Sequence, residues 1–555
     1  MKPFSTLMKT MVLAVLAAFT IGNAHAQTKP KKIIQGKDTL ITTNRTWDCD
    51  TIYYMKGHVY VTNGAQLTIQ PGTVIVGDSI TKGALIITKG SKLHAVGTSS
   101  CPIVFTSPKN PNRRNRGDWG GVILLGKASI NSPGGINYIE GLAPSPLTEY
   151  GGGTTPDDND NSGEVEFVRI EFAGVALSPN NEINGLTFGG VGRGTTIDFV
   201  QVSYSNDDSY EWFGGTVNCR HLIAFRGIDD DFDTDQGYSG KLQFGIGIRD
   251  PQVADISGSS GYESDNDANS STNLPQTRAI FSNFTVEAGA DTTANPLFRD
   301  GARIRRNSHM YMYNSILMGY PAGVTIDGAL TDANVIADTM VQNDIVTCLN
   351  SSKYVVSVLG NTGTTNLLLN HASNRFFAGN TQVLLTNPYN LNNPNLRPAT
   401  GSPALTGASF KHVGLNDPFF TPTAYVGALP KQAAQNWATT WVNWTPTKTV
   451  YTGPCACSTG IVASAERDDD AVASIAEVKV SPNPSHGNFN VELSGFSGKV
   501  AVKVSNMNGT VVYVKEITGN TKNVVNVSLN KALPGLYYVT VNDDKNMVTS
   551  KVSVN

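Results

Sequence analysis

Three short apolar runs near the start of the chain stand at equal intervals: LTIQPGTVIVG from Leu67, LIITKGSKLHAVG from Leu85 and IVFTSP from Ile103. Eighteen residues separate Leu67 from Leu85, and eighteen separate Leu85 from Ile103. Runs this short, set between glycine, proline or polar turns, cannot each bury an apolar face alone. Stacked on one another, they share a continuous core. Helical patterns are scarce and glycine is abundant, with 55 residues. The repeat therefore predicts an all-β solenoid, a parallel β-helix.

The pattern continues with irregular insertions through VEFVRIEFAGV from Val165, TIDFVQVSYS from Thr196, CRHLIAFRG from Cys219, KLQFGIGIRD from Lys241, IFSNFTVEAG from Ile280 and MYMYNSILMGY from Met310. Phe199, Gln201 and Ser203 alternate with Val200, Val202 and Tyr204, so one set is expected in the lumen and the other toward solvent. The stretch from Glu140 to Gly163, with its PDDNDNSG tip, reads as an insertion on one coil. PATGSPALTGASF from Pro398 reads as the end of the solenoid, and NWATTWVNWTP as a cap over its last coil. A polar linker is expected over 446–474. A small sandwich of alternating strands is expected over 475–555, with Asn508-Gly509 as a hairpin turn.

Residues 1–26 have the form of a secretory signal peptide: Lys2 and Lys9, an apolar stretch from Met11 to Ile21, and Ala24-His25-Ala26 as the site of cleavage after Ala26. That apolar stretch is too short to span a bilayer, and no later segment reads as transmembrane. Six cysteines are too scattered for a disulfide scaffold, although coil stacking favours pairing Cys49 with Cys101. Cys455 and Cys457 fall in the linker. The net charge of -3 and the lack of a long basic run argue against nucleic acid as a partner.

Pro482-Asn483-Pro484 with Gly487, then Asn508-Gly509, Leu533-Pro534-Gly535-Leu536-Tyr537 and the terminal Lys551-Val552 follow in order. Together they resemble the type A C-terminal sorting domain of the type IX secretion system of Bacteroidetes. The resemblance covers residues 475–555 and implies recognition by that secretion machinery, passage through the periplasm, and release or surface attachment. In the body, LTIQPGTVIVG, GDWGGVILLG and SPALTGA resemble right-handed parallel β-helix proteins exported by the same bacteria. The expected fold is thus a right-handed parallel β-helix over 33–445, followed by an Ig-like β-sandwich.

A chain in which only 16% of residues are charged concentrates its acids in SNDDSYEWFGG and GIDDDFDTDQG. Aligned at an offset of 23 residues, Asp207 falls on Asp230 and Asp208 on Asp231. Carboxylates stacked about 4.8 Å apart must face water, hold protons or share a cation. Oxygen ligands favour Ca²⁺, with Asp207, Asp208, Asp230, Asp231, Asp233 and Asp235 as candidate ligands. Asp231-x-Asp233-x-Asp235 starts like an EF-hand, but its Gly comes late, at Gly237, and Leu242 stands where the Glu belongs. GYESDNDAN, from Gly261 to Asn269, is a further source of ligands.

The same patch offers a pair of catalytic acids drawn from Asp207, Asp208, Glu211, Asp230 and Asp231, and Arg226 as the base that a polysaccharide lyase would need. Tyr210, Trp212, Phe213 and Tyr238 are candidates for stacking on sugar rings. His221 reads as a surface side chain. The RIRR at Arg303 to Arg306 resembles part of the polygalacturonase set, without its Gly-His-Gly. The expectation is a secreted or surface-displayed carbohydrate-binding or adhesive protein that takes a polysaccharide or cell-surface glycan, with Ca²⁺ at the acidic coils. The alternative is a polysaccharide lyase or glycoside hydrolase that uses the same acids.

Overall fold

The computed structural model describes residues 29–451, except 179–180 and 291–294, and residues 477–554, except 495, 497, 507–510, 520–521, 530–533 and 544–546. The expected signal peptide, Cys455, Cys457 and Asn508-Gly509 lie outside the described residues, as does most of the expected linker. The chain divides into two compact units, one up to Gly460 and one beyond it.

The first unit is a parallel β-helix with three faces. Face A begins with strands Arg45–Trp47, Gln66–Ile69 and Lys92–Val96; face B with Lys31–Ile34, Ile52–Met55, Val74–Gly77 and Ile103–Thr106. Face C runs from Leu40–Ile41 through Ala84–Ile87, Val122–Leu125, Leu186–Val191, Tyr210–Gly215, Phe232–Asp235, Tyr262–Ser264 and Asp300–Arg305 to Val355–Ser357. Leu67, Leu85 and Ile103 therefore sit on faces A, C and B, and the 18-residue interval does not measure a coil. True partners lie 22 residues apart at Arg45 and Leu67, and 26 apart at Val59 and Leu85. Each face has a strand of similar length, so runs two faces apart mimic successive repeats.

Five strands, Gly163–Glu171, Thr196–Ser203, Asn218–Phe225, Lys241–Ile248 and Ile280–Glu287, turn the corner from face A to face B without leaving the sheet. One left-handed residue makes each corner: Phe167, Phe199, His221, Phe244 and Asn283, continued by Asn314 and Asn343, with φ between 49° and 67°. Asparagine tolerates this conformation, and bulky residues adopt it rarely. Here the rings stack in order, Phe167 on Phe199 at 4.4 Å, Phe199 on His221 at 4.2 Å and His221 on Phe244 at 5.2 Å. His221 is thus a member of a ring ladder, bonded through Nδ1 to Asp198 at 2.7 Å, rather than a surface side chain.

Val168, Val200 and Leu222 stack in the lumen as the alternation requires. The opposite side of face B is not solvated. Gln201, Ile223, Ile246 and Thr285 form an outward row that is buried. Residues 409–451 cover it. Instead of capping the last coil, this segment makes a strap that runs back along the helix. Ser409 bonds to Asn314, Lys241 pairs with Asp417 and Gln243 clasps the backbone of Thr421. The segment returns to Asn314 at Gly427, then descends through Trp437 against His221 and Trp441 against Phe199 to Asn443 on Gln201. Arg114 donates to Pro446 O, and Tyr451 reaches Ile52, Val74 and Val76 near the first coil. An apolar outer face requires such a cover. Cys49 and Cys101 are both disulfide-bonded, in keeping with the pairing expected of them.

The second unit has two antiparallel sheets. One orders Glu477–Ser481, Asn488–Ser494 and Lys522–Ser528; the other orders Val511–Gly519, Gly498–Asn506, Gly535–Asn542 and Met547–Val554. Val491, Val502, Val504, Val527, Val539 and Val552 fill the space between them. Asn483 joins the ends of this domain, donating to Lys551 O and accepting from Ser553 N, both at 2.9 Å. Tyr537 is buried in the core beside Val552, while Gly487 holds a φ of 86° in the turn after the Pro-Asn-Pro segment. Among the described residues no helix is long and apolar enough to cross a membrane.

Candidate functional site

The acids lie on the outer side of face C and on the turns leading into it. Tyr210, Trp212, Phe232 and Tyr262 point into the lumen, so the positions between them point out. Strand pairing then sets Glu211 beside Asp233, Asp233 beside Glu263, and Glu263 beside Arg303. Asp207, Asp208, Asp229 and Asp230 occupy the turns one step earlier. Asp208 accepts the amide of Asp230 at 2.8 Å, and Asp230 accepts that of Ser260.

The coil offset is 22, not 23, since Val200 pairs with Leu222 and Val202 with Ala224. A slip of one residue turns a strand side chain to the other side. Asp231, expected among the ligands, accordingly faces inward and is fully buried, with Arg249 Nη1 at 3.3 Å from its Oδ1. Asp235 accepts from the amide of Gln236 and stands apart from the closest carboxylate groups.

Three groups of carboxylate oxygens each fall within 4.8 Å of one another: Asp207, Asp208 and Asp229; Asp208, Glu211 and Asp233; Asp230, Asp233 and Glu263. Asp208, Glu211 and Asp230 are buried, and the other four are half-buried. Burial first, and neighbouring carboxylates second, push Asp207, Asp208, Glu211, Asp230 and Asp233 well above the usual carboxylate range. The same causes raise Asp229 to about 7 and Glu263 to about 8. Glu140, on the insertion, rises to about 7 through burial and the nearby Glu182.

These groups fit a hard cation. The buried Asp229 Oδ1 and Asp233 Oδ1 have no hydrogen-bond partner among the described residues. Asn184 is 2% exposed and donates to Glu211, while its own Oδ1 is unpartnered. Every donor is oxygen, which suits Ca²⁺ better than a transition metal.

Of the sequence candidates, Asp207, Asp208, Glu211, Asp230 and Asp233 are brought together. Asp229, Glu263 and Asn184 join them. Register carried the missed signal: YEW, FDT and YES, starting at Tyr210, Phe232 and Tyr262, each set an acid or polar outward position between two inward ones. Basic residues are already committed. Arg226 bonds Asp250 through Nε at 3.2 Å and lies 5.0 Å from the Tyr204 ring. Arg303 pairs with Asp300 and Asp327, Arg305 with Glu263 and Asp265, and Arg306 with Asp265. Tyr210, Trp212 and Tyr238 are fully buried in the lumen, and Phe213 packs against Tyr150, so none of the four offers a face to a sugar.

A second concavity lies where the strap meets the end of face A. It is a cleft of about 610 Å³ whose lining includes Arg278, Tyr311, Tyr313, Asp338, Gln342 and His412. Tyr313 stacks on His412 at 4.7 Å, and Arg278 lies 5.2 Å from the Tyr311 ring.

Residues 39–383 match the pectate-lyase-like β-helix domain family, and residues 479–555 match the secretion system C-terminal sorting domain. The chain belongs to the pectate-lyase-like β-helix family. More particularly, it is a secreted β-helix protein sorted by a type IX tail of the Bacteroidetes kind. No curated protein matches it. Among solved structures it is similar to the Dettilon tailspike protein, at 10% identity over 59% of this chain and 61% of that one, with a TM-score of 0.19. Full-length tailspike protein 2 of the Escherichia coli bacteriophage CAB120 matches at 10% identity over 91% of this chain and 64% of that one, with a TM-score of 0.23. The chain thus spans less than two thirds of either tailspike.

Proposed function

We propose that the protein binds glycans at the cell surface or outside the cell, with Ca²⁺ held by the acid row as a structural part of the helix. On this reading the β-helix starts at 33 and its strap runs past the expected boundary at 445 to Tyr451, the stretch from there to 474 links it to the sorting domain at 475–555, and a signal peptide ending at Ala26 starts export. The observation that carries the reading is the separation of two surfaces. The acid row is largely buried and its basic neighbours are paired, which suits a cation better than an elimination reaction. The cleft beside Tyr311 and Tyr313 is lined by Arg278 and Asp338, which are joined through Tyr311 yet about half exposed, and by Gln342, so polar groups converge there with capacity left for sugar hydroxyls. The family description points to polysaccharide as the class of molecule.

A glycan array on the exported protein, run beside Arg278→Ala and Gln342→Ala variants, tests this. Binding to a defined glycan that falls at least tenfold in both variants is the expected result. Release of reducing ends or unsaturated sugars from a polysaccharide panel, lost on Asp208→Asn, would replace binding with the enzyme reading.

A further inference from the structure

The three carboxylate groups are not equivalent, because they overlap. Asp208 belongs to the first and second, and Asp233 to the second and third. The first and third have no residue in common. Asp207, Asp208 and Asp229 can therefore hold one ion while Asp230, Asp233 and Glu263 hold another, whereas an ion in the middle group draws a ligand from each end. We propose that the acid row is a two-ion site, with one Ca²⁺ in each end group and Glu211 between them.

Each end group contains a buried carboxylate oxygen that no donor among the described residues reaches, Oδ1 of Asp229 in one and Oδ1 of Asp233 in the other. Asn184, 2% exposed, sits against Glu211. Its amide hydrogen is spent on Glu211, which holds that side chain in place, and the Oδ1 of the same carboxamide has no partner among the described residues. Charge points the same way. Among the described residues one ion pair reaches the seven carboxylates, Arg305 on Glu263, with Arg249 and Arg303 standing farther off, so a single divalent ion leaves much of their mutual repulsion in place. Three carboxylates supply up to six oxygens, the lower end of what Ca²⁺ takes. The shared members bring the two ions near one another, so the second binds against the charge of the first.

This inference rests on the cation part of the proposed function, and its test separates the two. Calcium bound per chain is measured on the full exported protein by equilibrium dialysis. Two ions are expected, the second binding at least tenfold more weakly than the first. Asp229→Asn and Glu263→Gln should each leave one ion, and the double variant none. A single ion that survives both substitutions and is lost in Glu211→Gln would place it in the middle group and overturn the two-ion site. No bound calcium in the unsubstituted protein, shown folded by its circular dichroism, would overturn the cation reading as well. Glycan binding would remain a separate question for the array.

Discussion

Buried charge in this molecule takes two forms, and single substitutions tell them apart. Asp231 and Arg249 are both fully buried and face each other across 3.3 Å. Asp231→Asn leaves the guanidinium without its counter-charge and should lower stability by about 3–5 kcal/mol, read from the denaturant midpoint. Among the described residues Glu287 has no such partner. Burial raises it from 4.5 to about 8, partly offset by the bond from the Gly289 amide. Its folded form keeps a proton that the unfolded chain releases above about 4.5. Its contribution to stability therefore falls as pH rises from about 4.5 to about 8, and is level above that. One such proton is worth about 1.4 kcal/mol per pH unit. Glu287→Gln should flatten that part of the stability profile relative to the unsubstituted protein, as urea titrations at several pH values would show. Neither residue stands out in the sequence. Asp231 sits in a run of three aspartates, and only the register of the neighbouring strands tells which one turns inward.

The strap is the element whose role the sequence concealed. Its tryptophans are conspicuous, but nothing local says whether they close an end or lie along a side. The answer is in the outward positions of face B, where Ile223, Phe225, Ile246 and Ile248 are too apolar for water. Trp441 is almost fully buried among them, so Trp441→Ala should cost about 3–5 kcal/mol and increase binding of a hydrophobic dye to the native state. The strands themselves were legible, because alternation and glycine turns mark them wherever they occur. The coil length was not, since a regular interval across two faces looks the same as one around all three. The acid row was half legible for the same reason: its residues were visible, and their sides depended on a register of 22 that insertions elsewhere obscure.

At the scale of the whole chain, the two units carry different instructions. The sorting domain ties Asn483 to the terminal strand that carries Lys551, and its match to a sorting family covers residues 479–555. Deleting residues 475–555 should retain the protein inside the outer membrane, and fractionation would show it in the periplasm rather than at the surface or in the medium. In the β-helix, chelation with EDTA should lower the melting temperature, whereas an unchanged melting curve would count against any structural ion. The strap adds a constraint that stacked repeats do not normally have. A solenoid can gain or lose a coil with little penalty, because each contacts only its neighbours. Here one segment is fastened near Asn314 at one end and near Val74 at the other. It acts as a ruler: a coil inserted between those points would leave it about 4.8 Å short, and a coil removed would leave it slack, so the number of turns is set by a segment that belongs to none of them.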